Sequence, residues 1–124
     1  MSFESLASLR ILVVEDHDDS RDFLQQVLVH AGASVITASS AREAITEVEN
    51  VDVVVTDYAM PGETGLWLLE RVQECPRPVP VILVTGYADL HAAELSRASF
   101  ARVLRKPTDP WQLCAEVRAV ARAA

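Results

Sequence analysis

The sequence has 124 residues, of which 50% are hydrophobic, and a formal net charge of -7 at pH 7. This length and composition predict a single globular domain and argue against a disordered chain. The negative charge argues against direct binding to nucleic acid or to an anionic membrane surface.

The apolar runs are too short to cross a bilayer, which takes roughly 20 residues, and the first residues lack the pattern of a signal peptide. We therefore expect a cytoplasmic protein. Cys75 and Cys114 fit no metal-binding spacing and are expected to be buried, reduced thiols. Lys106 is the only lysine among 11 basic residues, which suggests a task that needs a compact ammonium group.

Short runs of Val, Ile and Leu alternate five times with segments of helical period. This alternation predicts a parallel sheet with helices on both faces. The second strand is more polar than the others and is expected at an edge of the sheet. The predicted strands are Arg10–Glu15, Ser34–Ala38, Val51–Thr56, Val81–Val84 and Ala101–Leu104.

The first two predicted helices carry recognisable start and stop signals. Asp18 or Asp19 can cap the first helix, Gly32 can end it, and Ser40 can begin the second with a capping box. The buried stripe of the first helix is predicted to be Phe23, Leu24, Val27, Leu28 and Ala31, and that of the second Ala44, Ile45 and Val48.

Three further helices complete the prediction. The third runs from Gly65 to Glu74 and buries Leu66, Leu69 and Val72, with Leu68 at the margin. The fourth, about Ala88–Ala98, has few large apolar residues and is expected to pack least firmly. The fifth begins after the N-cap Asp109 with Pro110 and buries Leu113, Val117 and Val120.

Chemically useful side chains lie at the carboxyl ends of four of the five predicted strands, namely Glu15 and Asp16, Asp57, Thr85 and Lys106. The carboxyl ends of parallel strands share one edge of a sheet, where such sheets bind ligands. Carboxylates about 4 Å apart repel by roughly 1 kcal/mol in water, so the cluster needs a cation, and oxygen ligands suit Mg2+. The set can receive a highly charged anion while one carboxylate acts as a nucleophile. His17 is expected to play no part.

In these residues the chain resembles the receiver domain of two-component response regulators. The resemblance rests on Glu15-Asp16, Asp57-x-x-Met60-Pro61-x-x-x-Gly65, Thr85-Gly86 and Lys106-Pro107, and it covers about residues 9–122, after an N-terminal lead of residues 1–8. It implies a flavodoxin-like three-layer α/β sandwich with five helices and a five-stranded parallel sheet of order 2-1-3-4-5.

The resemblance also implies a role for each site residue. Asp57 would accept a phosphoryl group from a sensor histidine kinase, a histidine phosphotransfer protein or a small acyl phosphate. Mg2+ would be held by Asp16, Asp57 and the backbone carbonyl of Ala59, with Glu15 acting mainly through water. Thr85 would donate to a phosphoryl oxygen, Lys106 would pair with Asp57 and then with the phosphate, and the Lys106-Pro107 bond would be cis.

Two positions depart from the family pattern and bear on how the signal leaves the site. Val103 stands where an aromatic switch residue is common, and Thr108 where a phenylalanine is common. An effector would bind the face of the fourth helix, fifth strand and fifth helix, through which a homodimer can also form. Trp111 and, less so, Trp67 are candidate anchors for a partner, although a partly covered ring is the commoner outcome.

The resemblance predicts a phosphorelay switch whose phosphoryl group is lost by hydrolysis, rather than an enzyme acting on other substrates. Two alternatives stay open. One is an interaction module that works without phosphorylation. The other is an aspartyl-phosphate hydrolase of the haloacid dehalogenase type, which requires a second Asp where this chain has Ala59.

Overall fold

The computed structural model describes residues 5–86 and 99–123. Its five strands form one parallel sheet in the order β2-β1-β3-β4-β5, which confirms the predicted order. The strands are β1 (Arg10–Val14), β2 (Ser34–Ala38), β3 (Val53–Thr56), β4 (Val81–Thr85) and β5 (Arg102–Arg105). The predicted strand bounds differ from these by at most two residues, the largest difference being the later start of β3.

Four α-helices lie in the described part of the chain: α1 (Asp18–His30), α2 (Ala41–Ile45), α3 (Gly65–Gln73) and α4 (Pro110–Ala123). A short 3-10 helix, Val48–Asn50, follows α2. The helix predicted at Ala88–Ala98 lies outside the described residues. The three-layer, flavodoxin-like architecture is confirmed.

The strands bury both of their faces because helices cover the sheet on both sides. In β1, Ile11 and Val13 pack with α1 and α4, whereas Leu12 and Val14 pack with α2 and α3. This alternation follows from the two-residue period of a strand. The central strands β1, β3 and β4 are therefore almost wholly buried, as a parallel sheet requires.

Three local predictions for the helices are wrong. Phe23 is 43% exposed rather than buried, so the inner face of α1 is centred on Leu24, Val27 and Leu28. Leu68 is fully buried and Leu66 only partly, because Gly65, Leu68, Leu69 and Val72 form the inner stripe of α3. Neither predicted aspartate caps α1.

The N-cap of α1 is instead His17, which makes no side-chain capping hydrogen bond. Asp18 and Asp19 are the first two helical residues, where a negative charge still favours the helix dipole. The caps at Ser40 and Asp109 are as predicted, since each side chain accepts a hydrogen bond from a backbone N–H of its helix. Gly32 ends α1 at a φ of 109°, which glycine adopts readily.

Candidate functional site

The carboxyl ends of four neighbouring strands meet at one corner of the sheet. The ammonium of Lys106, just after β5, donates to Glu15 Oε1 at 3.0 Å and to Asp57 Oδ2 at 3.1 Å. Glu15 follows β1 and Asp57 follows β3, so one side chain joins residues 91 and 49 positions away in the sequence. The convergence predicted from strand order is present.

Backbone hydrogen bonds fix the positions of these strand ends. The N–H of Asp57 donates to Val14 O at 3.0 Å, and that of Glu15 donates to Ala38 O at 3.1 Å. On the other side, the N–H of Lys106 donates to Thr85 O at 2.9 Å. Each site residue is therefore attached to the neighbouring strand by the continuing sheet ladder, which limits its freedom to move.

Asp57 is 8% exposed, and both of its carboxylate oxygens have partners. Oδ1 accepts from the N–H of Tyr58 at 2.7 Å, and Oδ2 accepts from Lys106. Its backbone carbonyl accepts from the hydroxyl of Thr56 at 2.9 Å. The carboxylate is thus held in one orientation and lies close enough to the surface for a small reactant to approach.

The loop after Asp57 returns to pack on that residue. Thr64 caps α3 by accepting a hydrogen bond from Trp67 N at 3.2 Å, and Gly65 N donates to Tyr58 O at 2.9 Å. A Cβ at position 65 would overlap the carbonyl oxygen of Asp57. Gly65 therefore allows the close approach of the helix to the strand end. Ala59, inside the loop, is exposed and brings no side-chain acid to the site.

Glu15 is fully buried, and its ionisation is disfavoured. Burial raises the pKa of the Glu15 carboxyl, and the neighbouring Asp57 carboxylate adds to the rise, while the ammonium of Lys106 opposes it. Burial alone would lower the pKa of Lys106, but hydrogen bonds and attraction from Glu15 and Asp57 outweigh this effect and raise it. Lys106 is therefore a firmly charged cation between two acids.

Asp16 and His17 lie on the outer side of Glu15. The Nδ1 atom of His17 is 3.6 Å from Asp16 Oδ1 and 3.8 Å from Glu15 Oε1. Within residues 5–86 and 99–123, these three side chains form the one group that could hold a metal ion, with ligand atoms within 4.8 Å of one another. His17, predicted to play no part, therefore belongs to the acidic pocket by position. Asp57 is not a member of this tight group.

Thr85 and Val103 occupy different environments. Thr85 ends β4 and is fully buried beside the site. Val103 is paired with Leu83 in the middle of the β4–β5 ladder and is 43% exposed. The residue at the predicted switch position therefore presents a small aliphatic side chain to the outside, and not a ring that could turn inward. The predicted cis bond between Lys106 and Pro107 is present.

A cavity of about 300 Å³ opens beside Lys106, between α1 and the loop after β5. Its lining is mainly apolar and consists of Asp19, Ser20, Phe23, Leu24, Lys106, Pro107 and Thr108. This cavity was not predicted, because Phe23 was expected to be buried in the core but is 43% exposed and lines it. The sequence held one indication that Phe23 is exposed: it lies one residue before Leu24, at the edge of the buried stripe of α1.

The sequence model of the response regulator receiver domain matches residues 11–118, which include every site residue described above. The chain belongs to the response regulator receiver domain family. It is 41% identical over 117 residues to an uncharacterized 14.6 kDa protein of Leptolyngbya boryana, covering 89% of this chain and 88% of that protein.

Other relatives of this receiver domain are longer proteins. It is 35% identical over 115 residues to the C4-dicarboxylate transport transcriptional regulatory protein DctD of Pseudomonas aeruginosa, covering 90% of this chain but 25% of that protein. It spans 49% of the transcriptional regulatory protein YbdJ of Bacillus subtilis, to which it is 28% identical over 109 residues and 88% of its own length. This chain therefore matches only part of each of these proteins.

Solved structures agree with the family and with the fold. A response regulator receiver domain protein from Clostridium thermocellum superposes with a TM-score of 0.85 at 30% identity, covering 93% of this chain and 95% of that one. Full-length FixJ from B. japonicum superposes with a TM-score of 0.83 at 28% identity, covering 94% of this chain and 59% of that one. The receiver domain thus occurs both as a whole solved chain and as part of a larger one.

Receiver domains bind Mg2+ at an acidic pocket, and the donor atoms present here fit such an ion. Glu15 Oε2 and Asp16 Oδ1 are buried and have no hydrogen-bond partner. Buried carboxylate oxygens without partners are unfavourable, and a hard cation that accepts oxygen ligands would satisfy them.

No helix in the described ranges has the length and apolar character needed to cross a membrane.

Proposed function

We propose that this receiver domain is a switch that accepts a phosphoryl group on Asp57 in a Mg2+-dependent reaction. The observation that carries the proposal is the bridge from Lys106 to both Glu15 and Asp57 at the surface-facing corner of the sheet. A fixed ammonium beside a fixed carboxylate provides a nucleophile together with a charge that can stabilise the incoming phosphoryl group.

In the proposed reaction an oxygen of the Asp57 carboxylate forms a bond to phosphorus. The bond between phosphorus and the atom that carried it breaks, and the leaving group keeps the electron pair. In a phosphohistidine donor that atom is an imidazole nitrogen. The transferred group carries negative charge on its equatorial oxygens throughout. Lys106 would move its hydrogen bond from Asp57 to one of these oxygens, and the hydroxyl of Thr85 would donate to another.

Asp16, Asp57 and the backbone carbonyl of Ala59 would hold Mg2+, and Glu15 would act mainly through a bound water. When bound, the ion neutralises charge on the phosphoryl oxygens. The unpartnered oxygens of Glu15 and Asp16 support this assignment. Ala59 is exposed and lies two residues after Asp57.

The product would be an acyl phosphate, which water hydrolyses, so the signal would decay without a second protein. We therefore class the chain as a phosphoacceptor that assists its own phosphorylation and dephosphorylation, not as an enzyme with an external substrate. The donor would be a sensor histidine kinase or a histidine phosphotransfer protein. The boundaries at residues 9–122, the possible homodimer and the cytoplasmic location stay predictions.

The signal would begin at Thr85 and reach the face formed by β5, by α4 (Pro110–Ala123) and by the helix predicted at residues 88–98. With Val103 in place of an aromatic residue, we propose that the signal passes through movement of Thr85 and its strand neighbours and not through a turning ring. Trp111, 44% exposed at the start of α4, would lie beside that face and is the candidate contact for an effector.

The deciding experiment is incubation with acetyl phosphate and Mg2+, followed by intact-mass measurement. The wild-type chain should gain one phosphoryl group, and both Asp57→Asn and wild type with excess EDTA should gain none. Absence of an adduct from acetyl phosphate and from phosphorylated histidine kinases, in a folded protein, would favour the interaction module. An adduct that persists in Asp57→Asn would assign the acceptor to another residue.

A further inference from the structure

His17 brings a nitrogen atom into a pocket whose other donors are carboxylate oxygens. Its Nδ1 atom lies 3.6 Å from Asp16 Oδ1 and 3.8 Å from Glu15 Oε1. Its side chain is 73% exposed, so it can turn toward the pocket without breaking any packing. The imidazole is therefore available as a ligand and is not required by the fold.

The spacing of these three groups suits coordination of one ion. Nitrogen and oxygen ligands lie about 2.0–2.2 Å from a divalent transition metal, which places tetrahedral neighbours about 3.4 Å apart. The distance from His17 Nδ1 to Asp16 Oδ1, which has no hydrogen-bond partner, exceeds this separation by only a few tenths of an ångström. Side-chain rotation alone can close that difference.

The carboxylates of the pocket also lack partners of their own. The Glu15 side chain is 1% exposed, and its Oε2 atom has no hydrogen-bond partner. Asp16 Oδ1 is likewise buried and unpartnered. Native structures rarely leave a buried carboxylate oxygen without a donor, and a bound cation would supply the missing partner.

Nearby charges restrict which groups can take part. Asp18 is held by Arg21 at 2.5 Å, and the same guanidinium donates to the backbone oxygen of Glu15 at 3.0 Å. Arg21 therefore binds one carboxylate oxygen of Asp18 and also fixes the backbone that carries Glu15. Lys106 donates to Glu15 Oε1, the oxygen that lies 3.8 Å from His17 Nδ1, so the carboxylate oxygens without a partner are Glu15 Oε2 and Asp16 Oδ1.

We propose that His17 is a nitrogen ligand that gives this pocket a preference for divalent transition-metal ions such as Co2+ over Mg2+. The inference deepens the proposed function, because it rests on the same acidic pocket binding a divalent cation. Imidazole is a good ligand for late first-row metals, whereas Mg2+ strongly prefers oxygen and keeps much of its water. Removal of the imidazole should therefore lower the affinity for Co2+ more than the affinity for Mg2+.

The test is calorimetric titration of the metal-free chain with Co2+ and with Mg2+ at about pH 8, because protons compete with metal ions for the ligand atoms at lower pH. His17→Ala should bind Co2+ at least about tenfold more weakly than wild type and bind Mg2+ within about twofold of it. The matched control is His30→Ala, an exposed histidine at the opposite end of α1, which should bind both ions as wild type does. The visible spectrum of bound Co2+ should change in His17→Ala only.

Three outcomes distinguish the nitrogen ligand at His17 from the proposed phosphorylation switch at Asp57. Equal Co2+ affinity in wild type and His17→Ala, with Mg2+ still bound, would overturn the nitrogen ligand and leave the phosphorylation switch standing. A parallel loss of both ions in a folded His17→Ala would also overturn it, since the histidine would then support the pocket generally. Failure of the wild type to bind either ion would overturn the cation site itself.

Discussion

The carbonyl oxygen of Asp57 lies directly against Gly65, so closely that a Cβ at position 65 would overlap it. This contact joins the proposed nucleophile to the first residue of α3, eight positions later. The Gly65 N–H also donates to Tyr58 O at 2.9 Å, which holds the two segments together. The position of the nucleophile therefore depends on a residue that has no side chain.

Gly65→Ala should destabilise the fold and slow phosphorylation of Asp57. The added methyl must displace backbone, which costs on the order of 1–3 kcal/mol in the free energy of unfolding. Urea denaturation and the rate of labelling by acetyl phosphate measure the two effects. The control is Gly62→Asn in the same loop, where a Cβ meets nothing within 4 Å and asparagine tolerates the φ of 85°. Equal losses in both variants would contradict the special role of Gly65.

Lys106→Gln should lower both stability and phosphorylation, whereas Lys106→Arg should lower mainly phosphorylation. Loss of the charge leaves the buried carboxylates of Glu15 and Asp57 without their cation, at a cost of about 1–3 kcal/mol because the lysine is partly solvated. Arginine keeps the charge but not the compact ammonium. Thermal unfolding and acetyl phosphate labelling separate the two effects. A Lys106→Arg variant that is phosphorylated at the wild-type rate would show that charge alone suffices.

Glu15→Gln should become more stable relative to wild type as pH rises. Because the pKa of Glu15 is raised above 4.5 in the folded state, its contribution is fully present below pH 4.5 and is lost as pH rises through the folded value. Glutamine cannot ionise, so it avoids this loss. The difference in melting temperature, measured with EDTA between pH 4.5 and pH 8, should grow by several degrees.

Glu70→Gln provides the comparison for that experiment, since Glu70 is exposed on α3. Its melting temperature should follow that of wild type across the whole pH range. If the difference between Glu15→Gln and wild type stayed constant with pH, Glu15 would not be the group whose proton binding changes on folding.

The sheet and its site were predictable because both depend on patterns confined to short segments. The apolar composition of runs such as Val53–Thr56 predicts a buried strand. The residue after each run lies at the edge of the sheet where the carboxyl ends of the parallel strands meet. The exposure of Phe23 and the burial of Leu68 were not predictable in this way. Each lies beside a residue of similar hydrophobicity, and only the packing angle of the helix decides which of the two faces inward.

The partnership of His17 with the acidic pocket was also hidden in the sequence. A histidine after two acids is usually solvated, and its spacing resembles no metal motif. Its place follows from the turn between β1 and α1, in which His17 is the N-cap with extended backbone, at φ -81° and ψ 124°. In this backbone conformation the Nδ1 atom of His17 lies 3.6 Å from Asp16 Oδ1 and 3.8 Å from Glu15 Oε1.

Leu104→Ala and Val103→Ala should differ strongly although they are neighbours on β5. Leu104 is 5% exposed and packs with α4 in the core, so its truncation should cost about 2–4 kcal/mol in unfolding free energy. Val103 is 43% exposed and should cost less than about 1 kcal/mol. Urea denaturation of both variants measures this difference. Similar costs would mean that Val103 is covered in solution.

Phe23→Ser should slow phosphorylation by a histidine kinase while leaving labelling by acetyl phosphate unchanged. Phe23 is 43% exposed and lines the cavity that contains Lys106, so a protein donor that reaches Asp57 from this side would cover its ring. A buried aromatic anchor contributes at least about 1–2 kcal/mol to binding, which corresponds to about a tenfold lower transfer rate at limiting concentration. A small donor needs no such contact.

The control for Phe23 is Val29→Ser, which removes an apolar side chain that is 50% exposed on the same helix, far from the cavity. Any kinase that phosphorylates the wild-type chain can serve as donor, and both variants should melt close to wild type because neither side chain is in the core. Equal slowing of kinase and acetyl phosphate reactions in Phe23→Ser would place the defect in the site itself. Slowing by Val29→Ser as well would place the donor on the length of α1, and not at the cavity.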